Sequence, residues 1–452
     1  MINRSQAPSP SGNLDFKLPE IKVLKTINNF DVYFVKKEKL PIVFTNVTCD
    51  AGSKFDPIDK KGLAYLTSLV IDEGAGEFNA LQLSDEFDKL GSIFSTYIDH
   101  DGNDFTLLSL KENFDYSFYL LSKVLTEPHL DQKDFDREKN KLINRILQLK
   151  DDASFVASSV FEKIVFKDTF YELPEIGLIS TVSNINLDDV IKFYNENIFS
   201  NHYKIFVVGN IEEDFLLTTI EKYLSKINPL QPKEISFTKN EKVNAKFYVV
   251  DKKESAQSEI IIGHTAKPRN ADDYYPTKVM NAILGGQFSS RINLNLRENK
   301  GYTYGASSSF SYYKHSGLFA VHTAVNIENT ADAIKEIFNE LKGIQTNVKQ
   351  EEVDFAKSYL IKEFPSKFET YSQVEKIIEQ LIFHSLPLDE IKVYQAKIHN
   401  VKLDEVLLAA NNNIQLDKLS VVVVGNLEKI IPQIKNQFNI EPAILDNEGN
   451  KI

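Results

Sequence analysis

The sequence predicts an α+β fold made of two homologous halves, and its length, an internal repeat and the order of its helix and strand signals predict it. A chain of 452 residues exceeds what one ordinary core serves, so two or more domains are expected. Ser183–Glu212 and His399–Glu428 align without a gap at a constant offset of 216 (399 − 183), with 12 of 30 positions identical. Leu187/Leu403, Asp188/Asp404, Asn197/Asn413 and Gly209/Gly425 are among the identities. In both copies an aspartate sits in the first turn of an amphipathic helix, where a carboxylate suits the positive end of the helix dipole. A largely β-branched run follows, Ile205–Val208 or Val421–Val424, closed by Gly-Asn, which reads as a buried strand.

The other elements fall in order around that repeat. Ile21–Ala51 reads as paired strands, and Leu63, Leu66, Leu69 and Val70 recur at helical spacing after Gly62. Asp101-Gly102 marks a hairpin turn between Ser92–Ile98 and Phe105–Leu110. That loop fails as a calcium site, because Asp104 replaces the required glycine and Leu110 the bidentate glutamate. Asp131–Lys150 reads as a long helix, and Pro229 and Pro232 mark a linker. Lys246–His264 repeats the strand pair. Ile292–Asn299 reads as a helix end, Gly301 as a turn and Tyr302–Phe310 as a strand. Gln350–His384 is helical with a break near Pro365. The expected division is an N-terminal extension over 1–20, a first domain over 21–225, a linker over 226–241 and a second domain over 242–452.

Composition excludes several function classes. A net charge of −12 argues against a general binder of nucleic acid or membrane surfaces, which carries a basic excess. Cys49 is the only cysteine, which rules out an intrachain disulfide and a thiolate metal cluster. The first 15 residues lack the basic and apolar parts of a signal peptide, and no apolar run approaches a membrane span. The expected location is cytoplasmic, or periplasmic if the sequence is a trimmed mature form. None of the eight histidines forms a His-x-x-x-His pair.

The segment Gly62-Leu63-Ala64-Tyr65-Leu66-Thr67-Ser68-Leu69 resembles the zinc helix of the pitrilysin and mitochondrial processing peptidase type of zinc peptidases, the inverzincins of the insulinase superfamily. Active members carry Gly-Leu-Ala-His-x-x-Glu-His there, with two metal-binding histidines one turn apart and a glutamate as general base. Here Tyr65 and Leu69 stand at the histidines and Ser68 at the glutamate. The family's third ligand follows Asp-Arg-Glu-Lys, Asp136–Lys139 in this chain, and Arg145 stands at or next to its place. A guanidinium there repels a cation. The resemblance therefore implies a degenerate zinc motif and no metal in this chain.

The second half carries Phe288-Ser289-Ser290-Arg291 and then Leu296-Arg297-Glu298-Asn299-Lys300-Gly301-Tyr302-Thr303-Tyr304. This resembles the family's Phe-Ser-Ser-Arg segment and its Leu-Arg-Glu-x-x-Gly-x-x-Tyr motif, with the arginine-to-tyrosine spacing of seven intact (304 − 297). Only six of the 52 basic residues are arginine, and Arg291 and Arg297 both fall in this segment. In the first half Gly91 takes the place of Gly301, and Phe94 that of Tyr304. The resemblance implies two α/β-roll domains, each a mixed or antiparallel sheet with helices on one face, closing like a clamshell with a partner chain. It further implies a non-catalytic subunit of a heterodimeric zinc metalloendopeptidase. Arg297 and Tyr304 would reach peptide substrate at the active site of a homologous partner that carries His-x-x-Glu-His and the zinc. The alternatives left open are a scaffold subunit of a larger complex and a peptide-binding homodimer without catalysis.

Overall fold

The computed structural model describes residues 17–227, 235–237 and 246–452. Their strands are β1 (Lys22–Lys25), β2 (Asp31–Lys36), β3 (Ile42–Cys49), β4 (Gly74–Ala75), β5 (Phe78–Asn79), β6 (Ile93–Ile98), β7 (Asn103–Leu110), β8 (Lys204–Gly209), β9 (Lys246–Asp251), β10 (Gln257–Ala266), β11 (Ala306–Tyr312), β12 (Gly317–Asn326), β13 (Ser420–Gly425) and β14 (Ala443–Leu445). Two six-stranded sheets result, in the orders β1-β2-β8-β3-β7-β6 and β11-β12-β10-β13-β9-β14, and β4 and β5 form a separate small hairpin.

The repeat occupies the same place in both sheets. β8 runs parallel to β2 and antiparallel to β3, and β13 runs parallel to β9 and antiparallel to β10. Only the sixth strand differs. β1 pairs antiparallel with β2, whereas β14 pairs parallel with β9, so the two sheets recruit it from opposite ends of the described chain.

Successive side chains of a strand point to opposite faces, so a strand that is apolar at every position needs cover on both. In β8, Ile205 and Val207 join the core under the first half's own helices, while Phe206 and Val208 join the core of the second half. β13 divides likewise: Val421 and Val423 face the helices of their own half, and Val422 and Val424 face the other way. The second cover is exchanged between halves. The first half's Ala153–Val165 helix places Val156, Val160 and Phe161 against Val422, Val424 and Ile261 of the second sheet. The second half's Tyr371–Phe383 helix packs on β3 and β8 of the first sheet. Each sheet thus has its own helices on one face, as predicted, and the opposite face is closed by a helix from the other half.

Several predicted elements are found with shifted ends. The Asp131–Lys150 helix spans Gln132–Lys150, and Gln350–His384 divides into Gln350–Glu363, a tight turn at Phe364–Phe368 around Pro365, and Tyr371–Phe383. The hairpin turn lies at Asp99–Gly102, where the Asp99 carboxylate accepts the backbone N–H groups of Asp101 and Gly102. Most of the predicted linker, residues 228–234 and 238–241, lies outside the described residues, as does 1–16 of the predicted extension. No helix among the described residues is long and apolar enough to cross a membrane.

The exchanged Tyr371–Phe383 helix also buries charge. Asn46 on β3 donates from Nδ2 to the Glu375 carboxylate at 2.9 Å, and Lys376 reaches Glu379 at 2.6 Å. Burial, reinforced by Glu379, pushes the Glu375 carboxyl up to about 8, and burial also raises Glu379 and Asp104. A carboxyl whose folded pKa exceeds its unfolded value holds its proton better in the folded state. Its stabilising share is therefore complete below about pH 4.5 and is lost as pH rises toward 8. The Tm should accordingly fall between pH 5 and pH 8. Glu375→Gln keeps an acceptor for Asn46 without a proton to lose, and should raise Tm at pH 8 by roughly 3–5 °C. Thermal denaturation of both forms across that range checks this. An unchanged pH slope in Glu375→Gln would show that this carboxyl ionises freely.

Candidate functional site

Two places in the chain carry the residues singled out by sequence, one in each half. In the first, the Leu63–Val70 helix starts where the buried Asp56 carboxyl accepts the backbone N–H groups of Gly62 and Ala64, both at 2.9 Å. Burial pushes Asp56 up to about 7, and Lys61 together with those N–H groups pulls against it. Tyr65 and Leu69 are half-buried and pack against the first core. The Ser68 hydroxyl donates to the Tyr65 carbonyl at 2.9 Å and so turns back on its own helix. Arg145 comes from the Gln132–Lys150 helix, which packs against this one. Burial raises the Tyr65 hydroxyl, Glu175 adds to the rise, and the Arg145 charge pulls it down. The fold thus packs together the two helices that carry Tyr65 and Arg145. A phenol, an inward-turned hydroxyl, an alkyl group and a cation make no donor set for zinc. Among the described residues, no group of three or more His, Cys, Asp or Glu side chains is arranged to hold a metal ion.

The second place lies between the Tyr274–Leu284 helix and β11. A short α-turn, Arg291–Asn293, widens into a π-turn over Leu294–Asn299, and Gly301 reverses the chain at φ 67°. Gly91 has φ 62°, so the two glycines predicted to correspond share the left-handed conformation that a side chain resists. The correspondence ends there. Phe94 lies in β6 with its ring stacked on Phe87 at 5.4 Å, whereas Tyr304 precedes β11 in a loop. The predicted Tyr302–Phe310 strand therefore begins only at Ala306. The cause is local hydrogen bonding: Thr323 Oγ1 donates to the Gly305 carbonyl at 3.0 Å, and Thr303 Oγ1 accepts the Gly305 N–H at 3.0 Å. Those bonds hold residues 303–305 off the ladder.

The two arginines of the segment have different tasks. Arg291 grips Glu352 through Nε at 2.7 Å and Nη2 at 2.6 Å, a bidentate pair tying the segment to the Gln350–Glu363 helix. Arg297 is 38% exposed, lies over the Phe288 ring at 4.7 Å, and has only its chain neighbour Glu298 as an ion partner at 3.4 Å among the described residues. Tyr304 is 91% exposed, and among the described residues no hydrogen bond or ring contact reaches it. No hydrogen bond or ion pair joins Arg297 or Tyr304 to Tyr65 or Arg145 among those residues. The two places are separate in this chain.

Sequence reasoning missed what fixes the second place. Buried Asn293 donates to the Phe288 carbonyl at 2.7 Å and accepts the Ala306 N–H at 3.1 Å, closing both ends of the segment with one side chain. Phe288 was visible in the Phe-Ser-Ser-Arg stretch, but its service as a platform for Arg297 depends on the turn between them. Burial lowers both His322, on β12, and His315, and among the described residues nothing gathers either into a ligand set.

Residues 32–174 match the family described as "Insulinase (Peptidase family M16)", and residues 184–360 match the one described as "Peptidase M16 inactive domain". An uncharacterized zinc protease of Rickettsia felis is 22% identical over 416 residues, covering 91% of this chain and 98% of that protein. The Helicobacter pylori protein named non-peptidase homolog YmxG is 23% identical over 404 residues, covering 88% of this chain and 92% of that one. The crystal structure of a peptidase M16 inactive domain from Pseudomonas fluorescens superposes with a TM-score of 0.82 at 21% identity, covering 90% of this chain and 98% of that one. Together with the degenerate first-half motif, these matches are consistent with a non-catalytic role. Both halves match in order, and the chain belongs to peptidase family M16, the insulinase family.

Proposed function

We propose that this chain is the non-catalytic subunit of a two-subunit zinc peptidase, giving Arg297 and Tyr304 to a site whose zinc and general base come from a homologous partner. The observation that carries this reading is the exposure of Tyr304 on a loop fixed by Thr323, Thr303 and Asn293. An aromatic ring left 91% in water adds nothing to the core, so its place on a fixed loop fits a role toward something outside the chain. Arg297 supports it, because its planar fork has no structural carboxylate of the kind that occupies Arg291. The guanidinium would hold a peptide carbonyl, and the phenol would donate to the oxyanion that forms when water attacks the scissile bond. The substrate expected is an unstructured peptide, bound partly by adding a strand to a sheet edge. On β11 the Ser308 backbone is already taken, its N–H by Gly285 and its carbonyl by Asn281, so strand addition there would be confined beyond Ser308.

The exposed side chains of Phe288, Leu294 and Tyr304 favour one rival, a scaffold that uses the same segment only as an interface. Two measurements decide. With Tyr65, Ser68, Leu69 and Arg145 at the ligand and base positions, the purified chain should hold no stoichiometric zinc and cleave no peptide. It should gain activity only with a homologue carrying His-x-x-Glu-His, in a heterodimer burying roughly 2,000 Å² or more. Elemental analysis and size exclusion test this. One zinc per chain with chelator-sensitive cleavage would sink the proposal.

The second measurement is steady-state kinetics of the reconstituted pair. Tyr304→Phe removes one exposed hydroxyl, so assembly should survive while kcat falls roughly 10²-fold. Arg297→Lys keeps the charge but loses the fork, and should raise KM as well as lower kcat. Near-normal rates for both variants, with assembly intact, would leave the chain a scaffold.

A further inference from the structure

A cavity of about 410 Å³ opens between the Tyr274–Leu284, Tyr371–Phe383 and Glu390–Asn400 helices and the distal end of β11. Its size is that of a small-molecule site. Four cations line it, Arg269, Lys278, Lys367 and Lys376, in a chain whose net charge is −12. Lys367 and Lys376 have Glu363 and Glu379 as ion partners. Arg269 and Lys278 have no ion partner among the described residues. Instead both approach one ring: the Arg269 guanidinium carbon is 3.2 Å from the Tyr274 centroid, and Lys278 Nζ is 5.7 Å from it. Glu390, the acidic group in the lining, is already committed to the Tyr275 hydroxyl and to Lys397 at 2.9 Å.

The rest of the wall is largely apolar, formed by Phe364, Ile377, Leu381, Leu386, Ile391 and the Tyr394 ring, with Gln373, Gln380 and His384 as its neutral polar members. The neighbouring groups feel the same positive field. Burial alone would raise the Tyr274 hydroxyl, yet Lys278 and Arg269 hold it below the usual tyrosine range. Burial, then Arg269, lowers the His384 imidazole to about 4. Half-sheltered cations such as Arg269 and Lys278, with no ion partner among the described residues, favour an anion, and an apolar wall beside them favours an anion with an apolar body.

We propose that this cavity binds a carboxylate joined to a compact apolar or aromatic group, with Arg269 and Lys278 taking the carboxylate. Such chemistry has two sources, a free organic acid or the C-terminal carboxylate of a peptide ending in an apolar residue. The second is within reach of the segment proposed above for substrate. β11 runs from Ala306, beside the Tyr304 loop, to Tyr312 in the cavity wall, a span of about 20 Å.

The test is calorimetric titration of the full chain with four probes: 3-phenylpropionate, its amide, an acetylated tripeptide ending in phenylalanine, and the same tripeptide amidated. At least one free carboxylate should bind at one per chain and at least tenfold more tightly than its amide. Binding of 3-phenylpropionate alone would identify a small-acid site, and binding of the tripeptide acid alone, or of both, a site that accepts peptide termini. Arg269→Gln combined with Lys278→Met should weaken that binding at least tenfold while leaving the circular dichroism spectrum unchanged. Lys367→Met, which removes a cation with its own carboxylate partner, should weaken it less and serves if the double variant fails to fold. Equal affinity for acid and amide, or no binding by either acid at millimolar concentration, would overturn the proposal.

Discussion

The architecture of this chain depends on two strands, β8 and β13, whose apolar runs Ile205–Val208 and Val421–Val424 face both ways. A strand alternating apolar with polar residues needs cover on one face; β8 and β13 are buried along nearly their whole length and need two. The helices of a single half supply one cover. The second comes by exchange, the Ala153–Val165 helix going to the second sheet and the Tyr371–Phe383 helix to the first. The exchange makes each half incomplete without the other. Hydrogen bonds reinforce it, from Leu40 N–H to the Tyr371 hydroxyl at 3.0 Å and from Lys37 Nζ to the Phe368 carbonyl at 3.0 Å. Burying Glu375 at this seam costs stability at neutral pH, and the Asn46 bond offsets only part of that cost.

The strand orders leave β6 and β11 at sheet edges, opposite β1 and β14, and it is at β6 and β11 that the two candidate places lie. β11 is anchored at its start, because the Ser308 backbone is taken by Gly285 and Asn281 and the Ala306 N–H by Asn293. A loop at the head of such a strand can hold an exposed side chain in position although that side chain packs against nothing. Tyr304 needs that support, since its ring is almost wholly in water.

What the sequence made legible was whatever repeats or punctuates locally. The helix–strand unit was readable because twelve identities survive in thirty gapless positions, and the break at Pro365 because proline lacks a donor. What it hid depends on distant partners. The apolar stripe of Ala153–Val165 says that the helix is covered but not by which sheet. Tyr302-Thr303-Tyr304 looks like strand, and the bonds to Thr323, about 20 residues away, help make it a loop. Arg291 and Arg297 read as equals in sequence. Their difference lies in Glu352, far along the chain, which neutralises one and leaves the other outside.

The degenerate first-half motif is a packed structure and not a vacancy, and this sets how hard a metal site would be to restore. Leu69 and the Tyr65 ring pack on the core, so histidines in their place would exchange apolar contact for a polar ring that only the metal could satisfy. Ser68 turned outward as glutamate would bring a carboxylate to a helix already started by the buried carboxyl of Asp56. Arg145, whose charge is felt at Tyr65, would oppose any cation held there until it too was replaced. The four changes depend on each other: each alone costs packing or charge balance and gains nothing until the last is made. The division of chemistry between two chains proposed above would avoid that barrier, since the second half would need only two side chains held in the open by a loop that its sheet already fixes.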